Sequence, residues 1–245
     1  MASSAPDLTS RLLRRERLIV AGGVTLLVAL SWWYVATGAG MKASMAAMGS
    51  PPLSVLIVMW WLMMVAMMLP AATPAILLYA QVRQIRTRDA DIAATWVFLA
   101  GYLAVWLAFS VAAAVAQDLL TGSSMALANH AAQGAVLIAA GAYQLSPLKT
   151  ACIGLCRSPA QFISRHWRPG WDGALRLGLR HGIYCLGCCW MLMALLFVGG
   201  VMNLLWVVGL TLIVTVEKLA PRGQQIGKAA GLALIAWGIA KLAGF

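Results

Sequence analysis

The chain alternates between long apolar runs and short polar segments, and this pattern predicts membrane-spanning helices because a bilayer core needs about 20 apolar residues per helix. We predict seven spans, at roughly residues 18–37, 53–80, 95–116, 130–146, 182–199, 203–218 and 226–244. The fourth and sixth are the shortest. The apolar run from Ile183 to Val216 is too long for one span. Its segment Gly199-Gly200-Val-Met-Asn203 predicts the turn that divides it.

The composition agrees with this pattern, since 62% of the 245 residues are hydrophobic and 10% are charged. We therefore expect an all-α, polytopic transmembrane helix bundle. Residues 1–17 form a basic N-terminus, and residues 18–245 form a single transmembrane domain. The run from Leu18 is longer than the apolar region of a signal peptide, so we interpret it as an uncleaved first helix.

The basic residues predict the orientation. With the N-terminus inside, all but two of the 18 lysines and arginines fall in cytoplasmic segments, the exceptions being Lys42 and Lys241. This bias predicts an N-in/C-out protein of the bacterial inner membrane and indicates no nucleic-acid partner. The basic loop at about 147–181 is then cytoplasmic. Its tryptophans and arginines suit a segment lying on anionic lipid, and a solvated loop that only fixes the topology is the alternative.

The densest group of possible metal ligands lies in residues 181–193. Four side chains recur at i, i+4, i+7 and i+8 and share one helix face: His181, Cys185, Cys188 and Cys189. Thiolates, imidazoles and thioethers bind copper or zinc, and small polarizable residues also serve as plain packing. Cys185 with Cys188 or Cys189 is the better facing pair, because adjacent residues diverge by about 100°. Met193 lies one turn beyond Cys189.

The second predicted helix carries a methionine stripe followed by two prolines, Pro70 and Pro74. The stripe consists of Met59, Met63, Met64, Met67 and Met68. Thioethers bind Cu(I) without deprotonation, and a methionine row is also a common core filler. We expect the prolines to free backbone carbonyls and bend the helix. Because the helix enters from outside, Met67 and Met68 should reach a depth similar to that of Cys189 and Met193.

Other candidate residues flank these two helices. Cys152 and Cys156 form a Cys-x3-Cys pair after the fourth predicted helix, where a shared ion or thiol exchange is possible. All five cysteines would lie at the cytoplasmic side, which favours thiols or ligands over disulfides. Glu217 either pairs with a cation or relays protons. The first external loop carries three methionines, Met41, Met45 and Met48.

Several segments resemble an uncharacterised bacterial family of predicted metal-binding integral membrane proteins. One is Ala66-Met67-Met68-Leu69-Pro70, and another is His181-Gly-Ile-Tyr-Cys185-Leu-Gly-Cys188-Cys189-Trp190. Between them, Ala142–Lys149, Cys152 and Cys156–Pro159 follow the same family pattern. The resemblance covers roughly residues 55–225 and implies metal binding. The Met-x-x-x-Met helix is also similar to that of eukaryotic copper uptake channels.

These features favour an inner-membrane protein that binds a soft metal, most plausibly copper and alternatively zinc, for transport, handover or cofactor delivery. A metal donor or acceptor protein would be its partner, and an oligomer is possible. A membrane redox enzyme using Cys152, Cys156 and the Cys185 cluster is one alternative. A non-catalytic assembly or structural subunit is another. Glycine-rich phosphate loops, His-Glu-x-x-His and nucleophile elbows are absent, so the sequence gives little support for an enzyme.

Overall fold

A computed structural model describes residues 8–38, 51–87, 92–121 and 126–244, and these ranges contain helices but no strand. The all-α prediction is confirmed for them. The helices are α1 (Leu8–Thr37), α2 (Leu53–Thr87), α3 (Ala93–Thr121), α4 (His130–Leu145), α5 (Pro147–Arg157), α6 (Pro159–His166), α7 (Gly170–Ala194), α8 (Leu196–Gly199), α9 (Leu204–Leu219) and α10 (Gly223–Leu242). Met41, Met45 and Met48 lie outside the described residues.

Four helical segments are long and apolar enough to cross a membrane. They are Arg15–Thr37, Leu53–Arg86, Ala93–Leu120 and Gly170–Gly199, and the bent pair α4–α5 would be a fifth if it forms one span. The segment predicted as a basic loop is itself largely helical, since it contains α5, α6 and the first three turns of α7. The number of seven spans and the N-in/C-out orientation stay predictions.

Helix α2 is the central helix of the bundle. In its most apolar window 61% of residues are buried, against 17% for α1, which packs on its outer side. The helix continues through Pro70 and Pro74. Pro70 has no N–H, so the carbonyl of Ala66 loses its usual helical partner. The indole Nε1 of Trp32 in α1 donates to that oxygen at 3.1 Å. Pro70 thus frees a carbonyl, as predicted, and the indole of Trp32 hydrogen-bonds to it. Helix α2 remains unbroken at this position.

Helices α4 and α5 meet at a 62° bend. The sequence predicts one helix over 130–146 followed by a loop, so this bend between two helices is a difference from the prediction. Ser146 ends α4 and also begins α5, where its hydroxyl accepts from the backbone N–H of Lys149 at 3.2 Å. Pro147 then occupies the first turn of α5, where its missing N–H costs nothing. The bend places Cys152 and Cys156 on a helix separate from α4.

Glycines let α4 and α10 pack backbone to backbone. A Cβ on Gly141 would lie 2.5 Å from the carbonyl oxygen of Gly231, and a Cβ on Gly238 would lie 2.8 Å from that of Gly134. Small residues at such crossings are typical of membrane helix pairs. This contact fixes α10 against α4 and, through α9, supports the side of the bundle that carries Glu217 and Lys218.

The predicted turn between α7 and α9 is present. The short helix α8 ends at Gly199, and Gly200 has a φ of 89°, which favours glycine. Asn203 then caps α9 by accepting from the backbone N–H of Trp206 at 3.3 Å. The chain therefore reverses here, and α9 returns along α2 and α7.

Candidate metal centre

Two cysteine thiols of α7 converge on the backbone carbonyl of a third cysteine. The Sγ atoms of Cys188 and Cys189 lie 3.0 Å and 2.9 Å from the backbone oxygen of Cys185, to which both thiols donate. All three residues are at most 2% exposed. Cys188 and Cys189 are adjacent and were expected to diverge by about 100°, but both sulfur atoms lie at the same carbonyl oxygen. Helical side chains tilt towards the N-terminus, so positions i+3 and i+4 both lie over the turn of residue i.

A methionine of α2 reaches this group of thiols. The Sδ atom of Met68 lies 3.7 Å from the Sγ atom of Cys189. Met67, Met68 and Met193 are fully buried in the same core. The depth relationship expected from the sequence thus brings one thioether into direct contact with a thiol of α7.

Cys185 is held by two polar groups from other helices. The ammonium Nζ of Lys218 in α9 donates to its Sγ atom at 3.0 Å. The hydroxyl of Tyr102 in α3 lies 3.1 Å from the same sulfur and 3.3 Å from the backbone oxygen of Met68. Both residues are buried, at 7% and 0% exposure. The sulfur of Cys185 thus lies in direct contact with a buried positive charge and with a hydroxyl that donates to the backbone of α2.

The two cysteines of the Cys-x3-Cys pair in α5 have different neighbours. Cys156 lies near Cys188, where α5 packs against α7. Cys152 lies one turn earlier against α7, where a Cβ on Gly187 would be 2.9 Å from its Sγ atom. Every cysteine is a free thiol.

Two predicted ligands lie apart from this contact. His181 is 3% exposed, and its ring packs against the rings of Phe98, Tyr102 and Phe162 at centroid distances of 6.0, 5.6 and 5.5 Å. Met63 lies on the wall of a separate apolar pocket, together with Met59, Tyr34 and Val201. The structure therefore brings together Met68 and the three cysteines of α7, places His181 on the Tyr102 ring that contacts Cys185, and leaves Met63 on the wall of another pocket.

A buried ion pair supports the helix that carries Lys218. Nζ of Lys149 lies 2.5 Å from Oε2 of Glu217, and the amide of Gln144 donates to Oε1 at 2.6 Å. Lys149 also donates to the amide oxygen of Gln144. Arg157 closes the end of α9 by donating to the backbone oxygens of Glu217 and Ala220 at 2.7 and 2.6 Å. Glu217 thus pairs with a cation, one of the two roles expected for it.

The sulfur-bearing helices lie within the region that identifies the family. The sequence model of PpoB2, described as a copper chaperone, matches residues 57–241. The chain belongs to the PpoB2 copper chaperone family. No curated protein and no solved structure matched the chain. Membership of the PpoB2 family gives the protein a copper-related function, in agreement with the metal-related family that the sequence resembles.

The arrangement of ligands in this PpoB2 protein is not that of a closed structural site. In the ranges that the structure describes, no group of three or more His, Cys, Asp or Glu side chains is placed to hold a metal ion. A structural zinc site has four such ligands in a tetrahedron. The groups at Cys185, Cys189 and Met68 are two thiols and a thioether, which are soft sulfur donors of the kind that Cu(I) prefers.

Sequence reasoning missed three polar residues of this centre: Tyr102, Gln144 and Lys218. A lysine inside the apolar helix Leu204–Leu219 is itself a signal, since charged residues within such segments are rare and face the bundle interior. Lys218 could have been selected on that ground. Gln144 lies in the segment Ala142–Lys149 that carries the family resemblance, and that resemblance was its only signal. Tyr102 carries no comparable signal, because tyrosine also occurs as an ordinary packing or interfacial residue.

Proposed function

We propose that the protein is a multi-pass protein of the bacterial inner membrane that binds Cu(I) and exchanges it with a donor or acceptor protein. Membership of a copper chaperone family supports copper as the cargo. The four long apolar helices support the membrane location. The observation that carries the proposal is the contact between Sδ of Met68 and Sγ of Cys189 at 3.7 Å.

This contact joins two kinds of Cu(I) ligand with different affinities. Thioethers such as Met67 and Met68 are neutral and hold Cu(I) in an apolar surrounding without losing a proton. The thiolates of Cys185 and Cys189 would hold it more tightly, because they add charge attraction to soft coordination. A cargo ion can thus pass from weaker sulfur ligands on α2 to stronger ones on α7. Cys188 lies between these ligands and Cys156 of α5.

A second candidate is thiol–disulfide redox chemistry between Cys156 and Cys188. The two residues are free thiols that lie near each other on neighbouring helices, and thiol–disulfide exchange needs such a pair. Forming that bond would release two protons and pass two electrons to a separate acceptor. An assembly role with inert sulfur residues is the remaining alternative. The three functions differ in what the purified protein contains.

The test is the copper and thiol content of detergent-solubilised protein prepared without chelator under reducing conditions. Copper bound in stoichiometric amount and lost in the double variant Cys185→Ser/Cys189→Ser supports the proposal. Cys152→Ser is the matched control, since its sulfur lies against Gly187 and outside the proposed pair. Gel filtration checks that each variant remains folded.

Copper retained in full by a folded double variant would overturn the proposed site. Metal-free protein that forms a disulfide between Cys156 and Cys188 on mild oxidation would support the redox candidate instead. Metal-free protein with five unreactive thiols would support the assembly role.

A further inference from the structure

Lys218 is a buried cation whose nearest polar partner is a thiol. Its Nζ atom donates to Sγ of Cys185 at 3.0 Å, and the residue is 7% exposed. The neighbouring carboxylate of Glu217 faces Lys149 and Gln144 instead. Among the described residues no carboxylate lies within 4.0 Å of Lys218. A buried ammonium without a carboxylate is costly, so such a charge is retained where it has a use.

Two of the three thiols of α7 contact side chains of other helices. Cys185 contacts Lys218 of α9 and Tyr102 of α3, and Cys189 contacts Met68 of α2. The thiol of Cys188 donates instead to the backbone oxygen of Cys185. We therefore take the two thiols of Cys185 and Cys189 and the neutral thioether of Met68 as the ligand set beside Lys218.

We propose that Lys218 makes this site selective for monovalent soft metal ions over divalent ones, an inference that rests on the proposed function. Two thiolates and one Cu(I) carry a net charge of −1, which the ammonium of Lys218 reduces to zero. The same thiolates with a divalent ion are neutral, and the ammonium then remains an uncompensated buried charge. In a surrounding of low dielectric constant this difference is large.

Binding of Cu(I) to this site changes no oxidation state. Two S–H bonds break, two S–Cu bonds form, and the two protons go to the aqueous buffer. The copper stays Cu(I), and the thioether of Met68 adds no charge. The buried centre therefore goes from a charge of +1, with neutral thiols and Lys218, to zero. Binding of the monovalent ion therefore neutralises the buried charge of Lys218.

The experiment compares Ag(I) with Cd(II), two soft and redox-silent ions of different charge, in the full-length protein in detergent. Competition titrations give the ratio of the two affinities, with the small dithiol dithiothreitol as the reference for intrinsic thiolate preference. We expect the ratio for the protein to exceed that of the reference by about a hundredfold. A ratio equal to the reference would overturn the inference.

Variants assign the effect to the charge. Lys218→Met should return the Ag(I)/Cd(II) ratio towards that of dithiothreitol, whereas Lys218→Arg should retain most of it. Lys228→Met is the matched control, because Lys228 is exposed on the adjacent helix. A folded Lys218→Met variant with an unchanged ratio would contradict the inference. If that variant does not fold, the ratio of the unmodified protein and of Lys218→Arg decides.

The results separate this inference from the proposed function. Cysteine-dependent Cu(I) binding without charge selectivity leaves the proposed function standing and rejects the role of Lys218. Absence of any cysteine-dependent binding of Cu(I) or Ag(I) rejects both.

Discussion

Sδ of Met68 lies 3.7 Å from Sγ of Cys189, although the two residues are 121 positions apart in the chain. Each side chain is at most 1% exposed. The contact therefore depends on tertiary packing, in which α3 lies against both α2 and α7, rather than on any local motif. It makes the methionine stripe and the cysteine segment parts of one centre.

Replacing Met68 with leucine should weaken Cu(I) binding by at least about tenfold, because the thioether sulfur is lost while the volume is kept. The affinity is measured by competition with a Cu(I) chelator. Met59→Leu is the matched control, since Met59 lies in the same helix but faces the pocket shared with Tyr34 and Val201. Equal affinities of the two variants would reduce Met68 to a packing residue.

Removing one partner of the buried ion pair should strongly destabilise the protein. Lys149→Met leaves the carboxylate of Glu217 buried with only an amide donor on its side chain, which costs about 3–5 kcal/mol. Adding Glu217→Gln removes that charge, so the double variant should be more stable than Lys149→Met alone. Unfolding in detergent, followed in a double-mutant cycle, measures the coupling. Strictly additive effects would show that the pair does not contribute as a unit.

The glycine contact between α4 and α10 should not tolerate a branched side chain. In Gly238→Val, the new Cβ would lie 2.7 Å from Cγ1 of Ile138, so the helices must separate at a cost of about 1–3 kcal/mol or more. Gly209→Ala is the control, because nothing lies within 4 Å of a Cβ there. Alanine is also the better helix former, so the control should be neutral or slightly stabilising. Melting temperatures in detergent compare the two, and similar values would argue against close packing.

The distribution of basic residues predicts the membrane topology. A reporter fused after residue 245 should lie outside the cytoplasm, and one inserted near Gly170 should lie inside. Enzymatic reporters active in one compartment make the measurement. A cytoplasmic C-terminus would mean that one short helix, α4 or α9, does not span. A reporter at Gly170 found outside would reverse the orientation of α7 and its cysteines.

The sequence was sufficient to predict the helical class, the turn around Gly200 and the two sulfur-rich faces. These features depend on apolar periodicity and on glycine, which act locally. The start of α7 was predicted late, at 182 rather than Gly170, because its first turns are basic and look like a loop by hydropathy. Helix formation there depends on packing of Gly178 and Gly182 against α3, which hydropathy does not measure.

The partners of Glu217 and Lys218 could not be derived from their positions in the chain. Adjacent residues on a helix point about 100° apart, so each meets a different neighbour. Glu217 meets Lys149 of α5, and Lys218 meets Cys185 of α7. Finding the pair of Glu217 requires the placement of α5, which follows from the bend at Ser146, and finding the pair of Lys218 requires the packing of α9 against α7. The polar residues of the centre are thus set by tertiary structure.

The short helix α5 carries both Lys149 and Cys156, two turns apart. Lys149 pairs with Glu217 of α9, and Cys156 lies near Cys188 of α7. Because residues i and i+7 share a helix face, both contacts are made from the same face of α5. A displacement of α5 that withdrew Cys156 from α7 would therefore also separate the charges of Lys149 and Glu217. The cost of breaking this buried pair keeps the thiol in its position.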